Sequence, residues 1–262
     1  MSEPVSTWRF DEMMRLDGKK IIAAGVGGLG QAIALGLADA GADLVVADIN
    51  LPAAEDLADR VRALGRAAWP IRLDVSRPEE CQKVVAFAVE KFGKLDVLFN
   101  GVGINIRGPS LEVTEAQWDR LHNVNTKGGF FFAQAAAKRF VAQGTGGKII
   151  TIASHLGIVG MEERTSYCAS KAAIINMTRA LAHEWAKYKI NVNALAPCFT
   201  RTAINAETMD DPVFYGKLMA RFPIKRLGKA EDLVGAVIYM ASPASDFMTG
   251  QTMVVDGGWL TW

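Results

Sequence analysis

The sequence predicts an α/β fold: a doubly wound, parallel, seven-stranded sheet with helices on both faces. Three observations point to it. Seven short apolar runs alternate with helical patterns along 262 residues, the rhythm of a parallel sheet wrapped by crossover helices. A glycine-rich turn, Gly25-x-Gly27-x-x-Gly30, falls between the first run and the first helical pattern. An acid, Asp48, ends the second run eighteen residues beyond Gly30.

The elements follow in order. Ile21–Ala24 is a short buried strand. After the turn, residues 31–41 read as a helix with Ile33, Gly36, Leu37 and Ala40 on one face and Gly41 as its stop. Residues 42–50 form a second strand, and 52–64 a helix opened by Pro52. Residues 67–76 make a third strand with Asp74 near its end, 78–92 a helix, and 94–103 a fourth strand. A helix over 115–128 passes into a second one ending near Val141. KIITIA, residues 148–153, is the fifth strand and stops at Ser154. A long helix carrying Tyr167 runs to about Tyr188, and 190–197 is the sixth strand. Residues 202–228 are irregular or helical, 231–241 helical, and 252–258 the seventh strand. No linker, repeat or low-complexity stretch divides the chain. Residues 18–262 are therefore expected to form one domain, and residues 1–17 a loosely held arm.

Composition narrows the function classes. Half the residues are hydrophobic and 22% are charged, as in a globular protein able to bury about three-quarters of its unfolded surface. A net charge of +1 gives no basic stripe for nucleic acid and no polybasic membrane patch. Cys81, Cys168 and Cys198 are scattered without metal-ligand spacing, so no metal is expected, and reduced thiols point to the cytoplasm. The mixed, acidic N-terminal stretch is not expected to be a signal peptide, nor any apolar run to span a membrane.

The turn at Gly25–Gly30 has a physical use. Glycines there let backbone approach a pyrophosphate at a helix N-terminus, the arrangement of a Rossmann-type dinucleotide site. Asp48 stands where a carboxylate accepts hydrogen bonds from the adenosine ribose. The same charge repels a 2′-phosphate, and no arginine follows it in Asp48-Ile49-Asn50. NAD(H) is therefore expected over NADP(H). At the other end of the sheet, Tyr167 and Lys171 are four apart and share a helix face. An ammonium beside a phenol favours the phenolate and makes tyrosine a usable acid or base. Ser154 can hydrogen-bond the same substrate oxygen. Arg107 follows the fourth strand at the sheet's ligand-bearing edge, where an arginine fork can hold a carboxylate; Arg164 and Arg201 are further candidates. His155 can reach a substrate hydroxyl. A Ser154–His155 hydrolase relay is disfavoured, because adjacent strand residues face opposite sides and no G-x-S-x-G elbow surrounds the serine. His122 and His183 read as structural, and Phe130–Phe132 as helix core.

With Ser154, Tyr167 and Lys171 lying downstream of the glycine turn, the chain resembles the short-chain dehydrogenase/reductase family from about Leu16 to Trp259. The resemblance implies a catalytic group of Asn125, Ser154, Tyr167 and Lys171 that moves a hydride between a secondary alcohol and a nicotinamide. Asn125 would help hold a proton-relay water, and Lys171 the nicotinamide ribose. The implied cofactor contacts begin with Gly25, Gly27, Gly28, Leu29 and Gly30. They continue through Asp48, Ile49, Asp74 and Val75 near the adenosine, with Asp74 beside the adenine. Asn100, Gly101 and Val102 follow the fourth strand, and Pro197, Thr200 and Thr202 the sixth, the two threonines toward the carboxamide. Tyr167 and Lys171 complete the set. The family's Thr-Gly-x-x-x-Gly-x-Gly turn is altered. Counting forward from Gly18 puts Ala24-Gly25 at Thr-Gly, and counting back from Gly28-Leu29-Gly30 puts Ala23-Ala24 there; neither keeps the threonine. Asn100-Gly101-Val102-Gly103 stands for Asn-Asn-Ala-Gly, and Pro197-Cys198 for Pro-Gly.

Stretches such as Gly103–Pro109 resemble the sugar-acid dehydrogenases of the family, of deoxygluconate or gluconate type. The substrate site would then include Arg107, Ser154, His155 and Tyr167. A neutral polyol, cyclic alcohol or hydroxysteroid is the alternative substrate, and a non-catalytic dinucleotide-binding protein the alternative role. Residues 202–228 are expected to close over the substrate. Val255–Trp259 resembles the family's subunit-contact strand, which implies a homo-oligomer, a tetramer being common.

Overall fold

The computed structural model describes residues 9–202 and 211–261. Its sheet has strands β1 (Lys20–Ala24), β2 (Asp43–Asp48), β3 (Ala68–Arg72), β4 (Val97–Asn100), β5 (Gly147–Ile152), β6 (Ile190–Pro197) and β7 (Thr252–Val255). All pair in parallel, in the order β3-β2-β1-β4-β5-β6-β7. The winding reverses between β1 and β4, and that crevice is where open α/β sheets place ligands. The predicted seven-stranded parallel sheet is the observed one.

The helices are α1 (Phe10–Met14), α2 (Leu29–Asp39), α3 (Leu51–Ala63), α4 (Pro78–Phe92), α5 (Glu115–His122), α6 (Gly129–Gln143), α7 (Thr165–Trp185), α8 (Pro212–Arg221) and α9 (Glu231–Ala241). Strand alternation sorts the core into two layers. Ile21, Ala23, Leu44 and Val46 pack with α2, α3 and α9 on one face. Ile22, Ala24, Val45 and Ala47 pack with α4, α6 and α7 on the other. Gly36 allows α2 to lie close to α9, since a Cβ there would overlap the Val234 side chain. Phe132 is fully buried, as its helix-core reading requires.

Several boundaries differ from expectation; β2 and β4 are shorter at both ends than the runs 42–50 and 94–103, and four other differences have visible causes. The described part of the N-terminal arm is docked: Leu16 is fully buried and its N–H donates to Ala40 O at 2.9 Å. Residues 1–8 lie outside the described residues. β3 stops at Arg72 because side chains take over the hydrogen bonding: Asp74 accepts from Ser76 N and Oγ, and Glu80 from Asp74 N. β7 stops at Val255 because Asp256 caps the next turn, accepting from Gly258 N and Leu260 N. Between α5 and α6 the chain widens into a π-turn, Asn123–Gly128.

Pro70 sits in β3, an edge strand paired only with β2. Leu73 N donates inward to Asp48 O, so alternation turns the Pro70 nitrogen to the open side, where a missing N–H costs no ladder bond.

Candidate active site

The turn after β1 is walled by backbone. Gly25 has φ +81°, and a Cβ on it would stand 2.6 Å from Gly101 C and Val102 N. A Cβ on Gly30 would overlap the Gly25 carbonyl oxygen, so α2 seats tightly on the turn. Gly27 closes it, its carbonyl accepting from Gly30 N at 3.0 Å. Gly28, at φ +47°, precedes α2, and a Cβ there would reach the Thr202 methyl at 2.9 Å. Thus Gly25, Gly28, Gly30, Gly101, Val102 and Thr202 meet, though they are spread over much of the chain. Leu29 starts α2 and packs partly into the core.

Asp48 is aimed into this region. Its Oδ2 accepts from Val26 N at 2.8 Å and its Oδ1 from Asn50 N at 2.9 Å, leaving each oxygen further acceptor capacity. Ile49 beside it is 60% exposed, an apolar surface at a strand end. Val75 is buried against the π-turn, its carbonyl 2.7 Å from where a Gly128 Cβ would lie. Asn100 is buried and accepts from Val102 N at 3.2 Å, shaping the loop after β4. A cradle open only to backbone, at the N-terminus of α2 with a carboxylate beside it, fits a dinucleotide's pyrophosphate and ribose. Among the described residues no cluster of His, Cys, Asp and Glu fits a metal ion. No described helix is long and apolar enough to cross a membrane.

Across the crevice, β5 delivers Ser154 and α7 delivers Tyr167 and Lys171. Ser154 Oγ accepts from Leu156 N at 3.1 Å, and the Ser154 hydroxyl is near enough to the Tyr167 phenol to favour its ionised form. Lys171 is buried; its Nζ donates to Ile152 O at 2.8 Å and lies 5.6 Å from the Tyr167 ring centre. The expected electrostatics need correction here. Burial pushes the phenol above its ordinary value and outweighs the lowering influence of the nearby Ser154 hydroxyl. Burial likewise lowers the Lys171 ammonium to about 8. Spacing alone foresaw the pairing of the two groups but not their shared desolvation.

Asn125 lies in the π-turn and is buried. Its Oδ1 accepts from Ile104 N at 2.8 Å, and its Nδ2 donates to Ile104 O at 2.9 Å and Ser170 Oγ at 3.1 Å. The side chain thereby clamps the loop after β4 onto α7. A Cβ on Gly103 would come within 3.3 Å of Lys171 Nζ and 3.4 Å of Asn125 Oδ1, so that position too is tightly enclosed. Gly103, Ile104 and Ser170 act through backbone or a short hydroxyl. The one sequence cue was Ser170 sitting beside Lys171.

Thr200 is buried, donates to Cys198 O at 3.0 Å and bridges to Gly228. Pro197 O accepts from His155 Nδ1 at 3.1 Å. His155, expected at the substrate, is 3% exposed and enclosed by Phe199 and Trp259 with ring centres 5.0 and 5.7 Å away. Burial lowers its imidazole to about 4. Ser154 Oγ and His155 Nδ1 are 3.5 Å apart, but the imidazole is committed to Pro197 O and buried under the two rings, which removes His155 from the groups open to a substrate. His122 is structural, its Nδ1 3.0 Å from Thr126 Oγ1, whereas His183 lies on the exposed side of α7.

Arg107 is half-exposed, and its Nε donates to Glu163 Oε2 at 2.5 Å, so it meets an internal carboxylate that sequence spacing did not reveal. Arg201 is exposed, its N–H donating to Gly228 O at 3.0 Å. Arg164 is buried at the start of α7. The expected closure over residues 202–228 falls partly on 203–210, outside the described residues; α8 forms the described part of it.

Comparison with known proteins shows the family and the fold. A profile of the family described as "Enoyl-(Acyl carrier protein) reductase" matches residues 23–260. The chain is 42% identical to 2-dehydro-3-deoxy-D-gluconate 5-dehydrogenase of Escherichia coli (strain K12), over 94% of this chain and 96% of the relative. It is 37% identical to sorbitol dehydrogenase of Cereibacter sphaeroides, over 95% of this chain and 100% of the relative. A crystal structure of gluconate 5-dehydrogenase from Burkholderia cenocepacia J2315, in complex with NADP and tartrate, superposes with a TM-score of 0.92 at 37% identity. That match covers 97% of this chain and 100% of the other.

Proposed function

The chain belongs to the short-chain dehydrogenase/reductase family, and we propose that it is an NAD(H)-dependent dehydrogenase of a sugar acid of deoxygluconate or gluconate type. It interconverts a secondary alcohol and a ketone. The observation that carries this reading is the gathering of Ser154, Tyr167 and Lys171 across the sheet edge from the glycine cradle, braced by Asn125.

The cradle from Gly25 to Gly30, with Gly101, Val102 and Thr202, holds the pyrophosphate half of the cofactor. Asp48 holds the adenosine ribose, with Ile49, Asp74 and Val75 toward the base. Asn100, Pro197 and Thr200 shape the nicotinamide end. When bound, the nicotinamide supplies hydride acceptance in oxidation and hydride donation in reduction. Tyr167 takes the hydroxyl proton of the alcohol in oxidation and returns it to the ketone oxygen in reduction. Ser154 donates to the oxygen on which negative charge develops. Lys171, with its ammonium lowered to about 8, changes charge in a range useful for moving that proton onward. Asn125 positions the relay through Ile104 and Ser170.

NAD is proposed over NADP because the Asp48 carboxylate, aimed by Val26 and Asn50, would face a 2′-phosphate. A homotetramer in the cytoplasm completes the proposal, resting on the Val255–Trp259 resemblance and the scattered thiols. Light scattering tests the tetramer. A second reading, a neutral polyol as substrate, has the likeness to sorbitol dehydrogenase in its favour. The cationic residues around Tyr167 favour the acid.

The deciding experiment follows NADH absorbance with NAD or NADP and a panel of hexonates, deoxyhexonates, polyols and cyclic alcohols. Turnover is expected with NAD and a 2-deoxy- or 3-deoxy-hexonate. Turnover confined to neutral alcohols would replace the sugar-acid reading with the polyol one.

A further inference from the structure

Arg164 has an environment unlike that of the other arginines. It is 8% exposed, in a residue type that is almost never fully buried without a partner. The one hydrogen bond of its side chain among the described residues is a long one, Nη1 to Glu163 O at 3.4 Å. A guanidinium carries five N–H donors, so most of this fork has no acceptor among the described residues. No described carboxylate lies within ion-pair distance of it, because Glu163 gives its carboxylate to Arg107.

The surroundings hold that fork in place. Glu163 has φ +58°, a left-handed conformation uncommon for a residue with a side chain, and such strain concentrates at ligand clamps. The turn it makes sends the Glu163 side chain to Arg107 and the Arg164 side chain inward. Gly108 N donates to Glu163 O at 3.2 Å, joining the loop after β4 to the loop before α7. Arg164 lies three residues before Tyr167, on the same side of α7 one turn earlier. Each lies within the electrostatic reach of the other. Burial, then the nearby Arg107 charge, makes the Arg164 cation less comfortable than an ordinary arginine. None of the unused Arg164 nitrogens is sealed off from solvent, so a ligand can reach them, and a partly desolvated cation gains from an anion that does.

We infer that Arg164 is the residue that selects an acid over a neutral sugar: its guanidinium receives the substrate carboxylate beside Tyr167, with the Arg107–Glu163 pair forming the outer lip. The inference rests on the sugar-acid reading above and sharpens it. A planar fork matches a carboxylate through two parallel hydrogen bonds, which fixes orientation as well as charge. The carboxylate end of the chain is thereby anchored, and the carbon presented to Tyr167 is set by its distance from that end.

The test compares wild type with Arg164→Gln and Arg164→Lys in steady-state kinetics at saturating NAD. The probes are 2-deoxy-D-gluconate and its primary amide, which match in shape and differ in charge and in one acceptor oxygen replaced by a donor. With the acid, kcat/KM is expected to fall about 30-fold or more in Arg164→Gln, mainly through KM, as for removing one partner of a desolvated charge pair. With the amide it should change less than about threefold, and Arg164→Lys should recover part of the acid's KM. Equal losses on acid and amide would assign Arg164 a structural role and overturn the inference, as would an unchanged KM for the acid. Should Arg164→Gln fail to unfold cooperatively, Arg164→Met, which keeps the apolar stem, replaces it with the same expectations. Failure of the sugar-acid reading shows separately, as wild type that oxidises the amide or a polyol and leaves the acid untouched. That result removes the inference with it.

Discussion

The two sides of the crevice are built on opposite principles. The side proposed for the cofactor is made of what is missing: Gly25, Gly28, Gly30 and Gly101 leave backbone bare, and Cβ atoms at these positions would strike neighbouring main chain or Thr202. The side proposed for the substrate is made of side chains from distant segments, with Asn125 reaching Ile104 and Ser170, and Arg107 reaching Glu163. Backbone recognition suits a ligand part that many enzymes share, since phosphate needs only N–H groups and room. Side-chain recognition can be rewritten one residue at a time, which is what a substrate pocket requires. The difference implies that substitutions on the two sides should fail differently.

The largest separation is expected from Tyr167→Phe. Losing the phenolic proton carrier should lower kcat by about a thousandfold or more while NADH still binds with near-wild-type affinity by fluorescence titration. Retained turnover would take Tyr167 out of the mechanism. The mirror experiment is Gly30→Ala. Its methyl would overlap the Gly25 carbonyl oxygen, so NADH affinity should weaken more than about tenfold, roughly 1.4 kcal/mol, with a lowered Tm. Normal NADH binding by this variant would show that the cradle is less rigid than its packing implies. A smaller shift should follow Asp48→Ala. NAD should lose about tenfold in kcat/KM while NADP changes little or improves, because the lost carboxylate both held the ribose and opposed a phosphate. An unchanged cofactor ratio would count against the ribose assignment.

A further effect lies outside the crevice and concerns stability, with no change expected in the kinetics at neutral pH. Burial holds His155 neutral in the folded protein, with its value lowered from 6.5 to about 4. The unfolded chain therefore takes up a proton before the folded one does. Stability from this group is complete above pH 6.5 and is lost as pH falls toward 4, by about 3 kcal/mol in total. His155→Leu should flatten that slope in urea unfolding measured at pH 7 and pH 4.5. A slope identical to wild type would mean that the imidazole is not desolvated.

The same contrast explains what could be read from the sequence. Gly25–Gly30 and Asp48 are local marks at the ends of strands β1 and β2, and Tyr167 and Lys171 share one helix, so their placement needed only periodicity. The Arg107–Glu163 pair spans 56 residues, and no local pattern links its members. The left-handed Glu163 was equally hidden, because glutamate does not advertise that conformation as glycine or asparagine does. The π-turn carrying Asn125 lies within a continuous helical pattern. Its distortion arises from tertiary contacts between the loop after β4, Val75 and α7. Leu16 was missed because one apolar residue in a polar stretch carries no period, though its burial docks the end of the arm. The direction of the Tyr167 shift was misjudged because spacing reports neighbours and not the loss of water around them.

Pro70 has a consequence of a different kind. A seven-stranded sheet exposes two borders, and a border strand with a full row of outward N–H groups invites a stray chain to add itself. At β3 that row is interrupted at its middle residue, so an incoming strand cannot pair without a gap. The interruption is set by covalent structure and does not depend on the final packing. It therefore works wherever β3 is a border, in a chain still folding as much as in the finished sheet.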